Sequence, residues 1–126
     1  MRWFPLAFAL VAWATPAAAQ DPQAGQRVFA QCRACHQVGE TARSLIGPHL
    51  NGIVGRKAGA VEGYEYSAAN KDLGIAWTED ALAAYLRDPA GRMPGSKMVF
   101  AGIKNDAQIA DLIAYLKRFG ADGKAP

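Results

Sequence analysis

The feature that most constrains the fold is a five-residue run, Cys32-Arg33-Ala34-Cys35-His36, which holds both cysteines of the 126-residue chain. C-x-x-C-H is the pattern of c-type haem attachment. On a helical turn, positions i, i+3 and i+4 share one face. Both thiols can therefore reach the vinyl groups along one porphyrin edge, while His36 directs an imidazole nitrogen at the iron. A chain anchored in this way must fold around a rigid, flat, largely apolar group. Three other readings fit less well. Two neighbouring thiols in an oxidising compartment would ordinarily form a disulfide. A redox-active C-x-x-C belongs beside a βαβ pattern, which this sequence lacks. Zinc needs further Cys or His ligands, and only His49 is left. The expectation is one haem c, attached covalently through Cys32 and Cys35, with His36 as a metal ligand.

The N-terminal segment reads as a leader. Arg2 supplies positive charge, Trp3 to Ala14 is nearly all apolar, and Thr15-Pro16 precedes Ala17-Ala18-Ala19, an A-x-A cleavage pattern. The apolar run is shorter than the roughly 20 residues that span a bilayer. Residues 1–19 are therefore expected to be a cleaved signal peptide, and residues 20–126 a single periplasmic domain. The mature chain of 107 residues carries 13 basic and 11 acidic side chains. That length suits one small core. The charge bias is too weak to argue for nucleic acid. No repeat or long linker divides the chain, and a monomer is expected.

Helix punctuation is clear and strand signals are poor, so the fold class is all-α. Asp21-Pro22 reads as an N-cap followed by proline in the first turn, opening a helix that runs through Phe29 into the cysteine turn. Gly39 to Gly63 is glycine-rich and aperiodic, hence loop. Ser67 caps a short helix through Lys71 that stops before Gly74. Thr78 caps a third, with Glu79 and Asp80 in its first turn and Pro89 ending it. Asn105 and Gln108 have capping-box spacing ahead of an apolar stripe, Ile109, Leu112, Ile113 and Leu116. Lys117 and Arg118 are placed in its last turn, with Gly120 as C-cap. About four helices joined by long loops would be unusual without a ligand. Haem supplies the apolar surface that those loops need.

The second axial position decides between chemistries. An open site permits peroxide chemistry or gas binding, whereas a protein ligand closes the iron and favours electron transfer. Met93, Met98, His49 and several lysines are candidates. Pro94-Gly95 forces a turn, and a loop is the right vehicle for carrying a thioether over a ring face. Met98 lies beyond that turn and is favoured, although the pattern alone does not separate it from Met93.

Spaced motifs along almost the whole mature chain resemble the class I cytochromes c, in particular the mitochondrial proteins and the short bacterial cytochromes c2. They are Cys32-Arg33-Ala34-Cys35-His36, Gly47-Pro48-His49-Leu50-Asn51-Gly52, Gly55-Arg56-Lys57, Tyr64 to Lys71, Gly74-Ile75-Ala76-Trp77, Tyr85-Leu86, Pro94 to Gly102 and Asp111 to Lys117. The resemblance implies a loop-rich all-α fold and an electron carrier rather than an enzyme. It implies Met98 as the sixth ligand, with the Pro48 carbonyl accepting the His36 ring N–H and the Tyr85 phenol near the methionine sulfur. By the same resemblance Arg56, Tyr66 and Trp77 surround a buried haem propionate, and Asn70 belongs to the polar network beside it. Gly25, Phe29, Leu112 and Tyr115 match the crossing of the first and last helices. His49, next to Pro48, is expected to be exposed.

The implied partners are membrane redox complexes. A cytochrome bc complex would be the donor, and a cytochrome oxidase or photosynthetic reaction centre the acceptor. Docking at the exposed haem edge would use Arg27, Arg43, Lys97 and Lys104. Gln31, Leu45, Ala90 and Asn105 occupy other positions of the family's lysine ring, so steering should be weaker and association less salt-dependent.

Overall fold

The computed structural model describes residues 1, 9–13 and 20–126. Most of the expected leader, including its cleavage pattern, lies outside the described residues. Among the described residues five helices follow in order: α1 Pro22–Phe29, α2 Ala68–Lys71, α3 Glu79–Arg87, α4 Pro89–Arg92 and α5 Asp106–Leu116. Among the described residues the only β pairing is an isolated antiparallel bridge between Lys57 and Ala76. No described helix is long and apolar enough to cross a membrane.

The helices begin where side chains satisfy orphan N–H groups. Asp21, Ser67, Thr78 and Asn105 accept from the backbones of Gln23, Asn70, Ala81 and Gln108. Two details differ from the sequence reading. Pro89 does end α3, but it also opens α4, because Asp88 caps a new turn by accepting from Gly91 N–H at 3.1 Å. Helix α5 stops at Leu116 with Lys117 as its C-cap, so Lys117 and Arg118 stand beyond the last turn and Gly120 is not the cap.

Helices α1 and α5 form the most extensive helix pairing. The start of α1 is tied to the middle of α5 where the Asp21 backbone N–H donates to the Asp111 carboxylate at 2.9 Å. Phe29 and Tyr115 pack with ring centroids 5.4 Å apart, and Tyr115 meets Phe119 edge-on at 5.2 Å. Gly25 makes the crossing possible. A Cβ there would overlap the Asp111 carbonyl oxygen and sit 2.8 Å from the Tyr115 Cβ. Gly25→Val is therefore expected to destabilise the protein by about 3 kcal/mol or more, since both neighbours are backbone or stem atoms that cannot swing away. Chemical unfolding would show the loss as a lower midpoint.

The core as a whole combines helix residues with residues from the loops. Phe29, Ile53, Trp77, Leu82, Tyr85, Leu86, Met93, Ile103 and the α5 stripe are buried together. Leu50, Val54, Met98 and Phe100 are only partly buried against that cluster. These four come from the loops around the predicted haem site.

Candidate functional site

The cysteine turn follows closely on α1, with Cys32 N–H donating to the Phe29 carbonyl at 2.8 Å. Cys32 accepts from the backbone N–H groups of Cys35 at 3.2 Å and of His36 at 2.9 Å, so the three residues do occupy one helical turn. Both thiols are free. Burial, with Cys35 adding, pushes the Cys32 thiol up to about 11. Redox-active dithiols need a lowered value, so this environment opposes a thioredoxin-like role.

His36 is positioned from two sides. Its Nδ1 donates to the Pro48 carbonyl at 2.7 Å. A carbonyl can only accept, so the bond fixes the proton on Nδ1 and leaves Nε2 with a free lone pair, the state a metal ligand requires. Burial holds the ring below the ordinary imidazole value and so keeps it neutral; the Pro48 bond partly offsets this. Gly47 lies directly against the ring. A Cβ there would overlap Cε1 and fall 2.7 Å from Nδ1. The loop carrying Gly47 and Pro48 is anchored to the cysteine turn, because Gly47 N–H donates to the Cys35 carbonyl at 2.9 Å.

The two loop methionines have different surroundings. Met93 is 1 % exposed, packed in the core just after α4. Met98 is partly buried, and its sulfur receives the Tyr85 hydroxyl at 3.6 Å. Burial raises the Tyr85 pKa, so the phenol stays a donor. Pro94-Gly95 makes the expected turn, with Gly95 at φ +85° and Ser96 N–H bonded to the Met93 carbonyl. The far end of the loop is pinned where Ile103 N–H donates to the Leu86 carbonyl at 2.8 Å.

Arg56, Tyr66, Asn70 and Trp77, the residues expected around a propionate, are each buried or half-buried. The Arg56 guanidinium Nη1 donates to the carbonyls of His49 at 2.9 Å and Asn51 at 3.0 Å, while its Nε is buried without a partner. The Asn70 side-chain oxygen is likewise buried and unpaired. Tyr66 is buried and accepts from Val61 N–H at 3.0 Å, which leaves its own hydroxyl proton to donate. Backbone bonds between Gly55, Arg56 and Trp77 hold the arginine and tryptophan segments together. Trp77 then packs on Tyr85, ring centroids 4.9 Å apart, which links these two segments to Met98. Buried polar atoms are rarely left unpaired, and a haem propionate is a chemically suitable partner for the arginine. The free thiols, the oriented imidazole and the partly buried apolar loops also suit haem, so the residues present fit that group.

His49 departs from expectation. It is half-buried rather than exposed, with its N–H on the Ser44 hydroxyl and its Nδ1 accepting from Asn51 N–H at 3.3 Å. Burial, then the nearby Arg56 charge, holds it below the ordinary value of 6.5. As pH falls below that value the unfolded chain takes up the proton first, and stability is lost as pH falls through the folded value. His49→Gln in the haem-loaded protein is expected to reduce this acid destabilisation, as measured by denaturant unfolding between about pH 7 and pH 4.

Known proteins resemble this chain along most of its length. The family model described as Cytochrome c matches residues 22–119. The chain is 52 % identical to cytochrome c2 of Blastochloris viridis over 116 residues, covering 92 % of this chain and 91 % of that one. It is also 52 % identical to cytochrome c-550 of Nitrobacter winogradskyi over 104 residues, 82 % and 95 % of the two chains. Among solved structures, cytochrome cH from Methylobacterium extorquens superposes with a TM-score of 0.73 at 44 % identity, over 77 % of this chain and 97 % of that one.

Proposed function

The chain belongs to the cytochrome c family, and from that premise we propose that it is a soluble periplasmic carrier whose iron is held between His36 and Met98. Membership makes it an electron-transfer protein rather than an enzyme, with one haem c bound covalently through Cys32 and Cys35. When bound, the haem supplies a one-electron ferric–ferrous couple, and a thioether opposite an imidazole favours the ferrous side.

The observation that carries this reading is the Tyr85 hydroxyl on the Met98 sulfur, while Met93 is sealed in the core. Pro48 holds the His36 tautomer. Arg56, Tyr66, Asn70 and Trp77 bind a propionate, since a buried carboxylate would be costly without a partner. Residues 1–19 are removed on export. The donor is a cytochrome bc complex, and the acceptor a terminal oxidase or photosynthetic reaction centre.

Docking uses a face bearing Arg27, Arg43, Lys97 and Lys104, with Leu45, Ile46 and Val99 as exposed apolar contacts. Lys104 is partly engaged, since its ammonium donates to the Arg87 carbonyl at 2.5 Å. Among the described residues Arg27 and Arg43 form no ion pair. With few charges on this face, steering is modest.

Carbon monoxide distinguishes this function from haem enzymes and gas sensors, which need an exchangeable sixth site. The reduced protein is expected to bind it poorly. Rapid, stoichiometric binding would instead indicate a peroxidase or a sensor.

A further inference from the structure

Three loops meet at Tyr64. Its hydroxyl donates to the Ile46 carbonyl at 2.6 Å, immediately before the Gly47-Pro48 pair that positions His36. Its ring packs edge-on against Tyr66, centroids 4.8 Å apart. The ammonium of Lys97, the residue adjoining Met98, lies 4.6 Å from the Tyr64 ring centroid and donates to the Glu65 carbonyl. One tyrosine is thus bonded to the segment beside one proposed ligand and carries the residue adjoining the other. Lys97 is exposed, and a lysine serving only as a docking charge gains nothing from being held against a ring and a backbone carbonyl. The ring face attracts a cation through its quadrupole, and the carbonyl supplies the directional bond that a flexible four-carbon stem lacks.

We propose that Tyr64 and Lys97 form a clasp that holds the Met98 loop closed, which makes both of them positioning residues for electron transfer. The inference rests on Met98 being the sixth ligand. For the sulfur to leave the iron the loop must open, and opening pulls Lys97 off both partners. The two exposed contacts together shift the closed–open balance about tenfold, or about 1.4 kcal/mol.

The test uses the ferric haem-loaded protein titrated with imidazole, which competes with Met98 and so reports how readily the loop opens. Lys97→Gln, which removes both contacts, is expected to raise imidazole affinity about tenfold, and Tyr64→Leu, which removes the ring contact alone, about threefold. The double variant should gain no more than Lys97→Gln alone, because the ring acts only through that lysine. Lys97→Arg keeps a cation and a donor and should stay near the parent. Affinity within twofold of the parent in either single variant, or full additivity in the double, would overturn the clasp. A lowered unfolding midpoint with unchanged imidazole affinity would also overturn it, since that marks a merely structural role. The weak red absorption band of a methionine–ferric bond separates the two readings. If the parent lacks it, Met98 ligation fails and the clasp with it. If the band is present and the affinities do not move, the clasp alone fails.

Discussion

Met98→Ala is expected to lower the reduction potential by on the order of 0.1 V, within the roughly 0.8 V over which axial ligands move haem potentials. It should also let the reduced protein bind carbon monoxide. Met93→Ala should do neither. Met93 is almost wholly enclosed, so its truncation leaves a cavity and costs about 2–5 kcal/mol of stability, with potential and spectrum near the parent's. The pair of variants forms a crossed experiment, because one residue governs the iron and the other the packing. Electrochemistry with carbon monoxide titration checks the first effect, and denaturant unfolding the second. If Met93→Ala opened the iron and Met98→Ala did not, the ligand assignment would be reversed.

The second large effect concerns the fold as a whole. Cys32→Ser combined with Cys35→Ser removes both points of covalent attachment, and the resulting chain is expected to be largely unfolded. Among the described residues only α1 and α5 pair extensively. Leu50, Val54, Met98 and Phe100 pack against the buried cluster but are only partly buried. Ordering a residue costs about 1–2 kcal/mol of backbone entropy, and the loops have little apolar burial of their own to offset it. Far-ultraviolet circular dichroism should show most of the helix signal lost and no cooperative melting transition. A haem-free variant that melted cooperatively would contradict the view that the cofactor is the centre of the core.

The helices were legible in the sequence because their starts are local chemistry. Asp21, Ser67, Thr78 and Asn105 cap their helices through bonds spanning two or three residues, and the Ile109 to Leu116 stripe is buried as its spacing predicts. The ends were harder to place. Gly120 looked like a C-cap, but α5 closes on Lys117, since a helix can stop without a left-handed residue when the next turn tightens. Pro89 was visible as a terminator. Its second role, opening α4, depends on the Asp88 side chain turning back to Gly91. The site separates along the same line. Cys32, Cys35 and His36 follow from spacing alone. Arg56, Tyr66, Asn70 and Trp77 are scattered across the sequence, and only the Arg56 and Trp77 segments are joined by tertiary backbone bonds, so composition and periodicity could not link the four. Only the resemblance did. His49 is half-buried where the sequence reading has it exposed, with its backbone N–H on the Ser44 hydroxyl and its Nδ1 accepting from Asn51 N–H.

The contact between Gly47 and the His36 ring has a kinetic consequence. The imidazole is fixed along its edge by the Pro48 carbonyl and across its face by a backbone with no side chain to yield. With His36 holding the iron as proposed, a ring confined in these two directions would resist swinging or tilting when the charge on the metal changes. The nuclear rearrangement accompanying each electron would then be kept small, so that arrival and departure would meet nearly the same geometry. Distance and driving force, rather than the motion of the ligand, would set the pace of exchange with a partner.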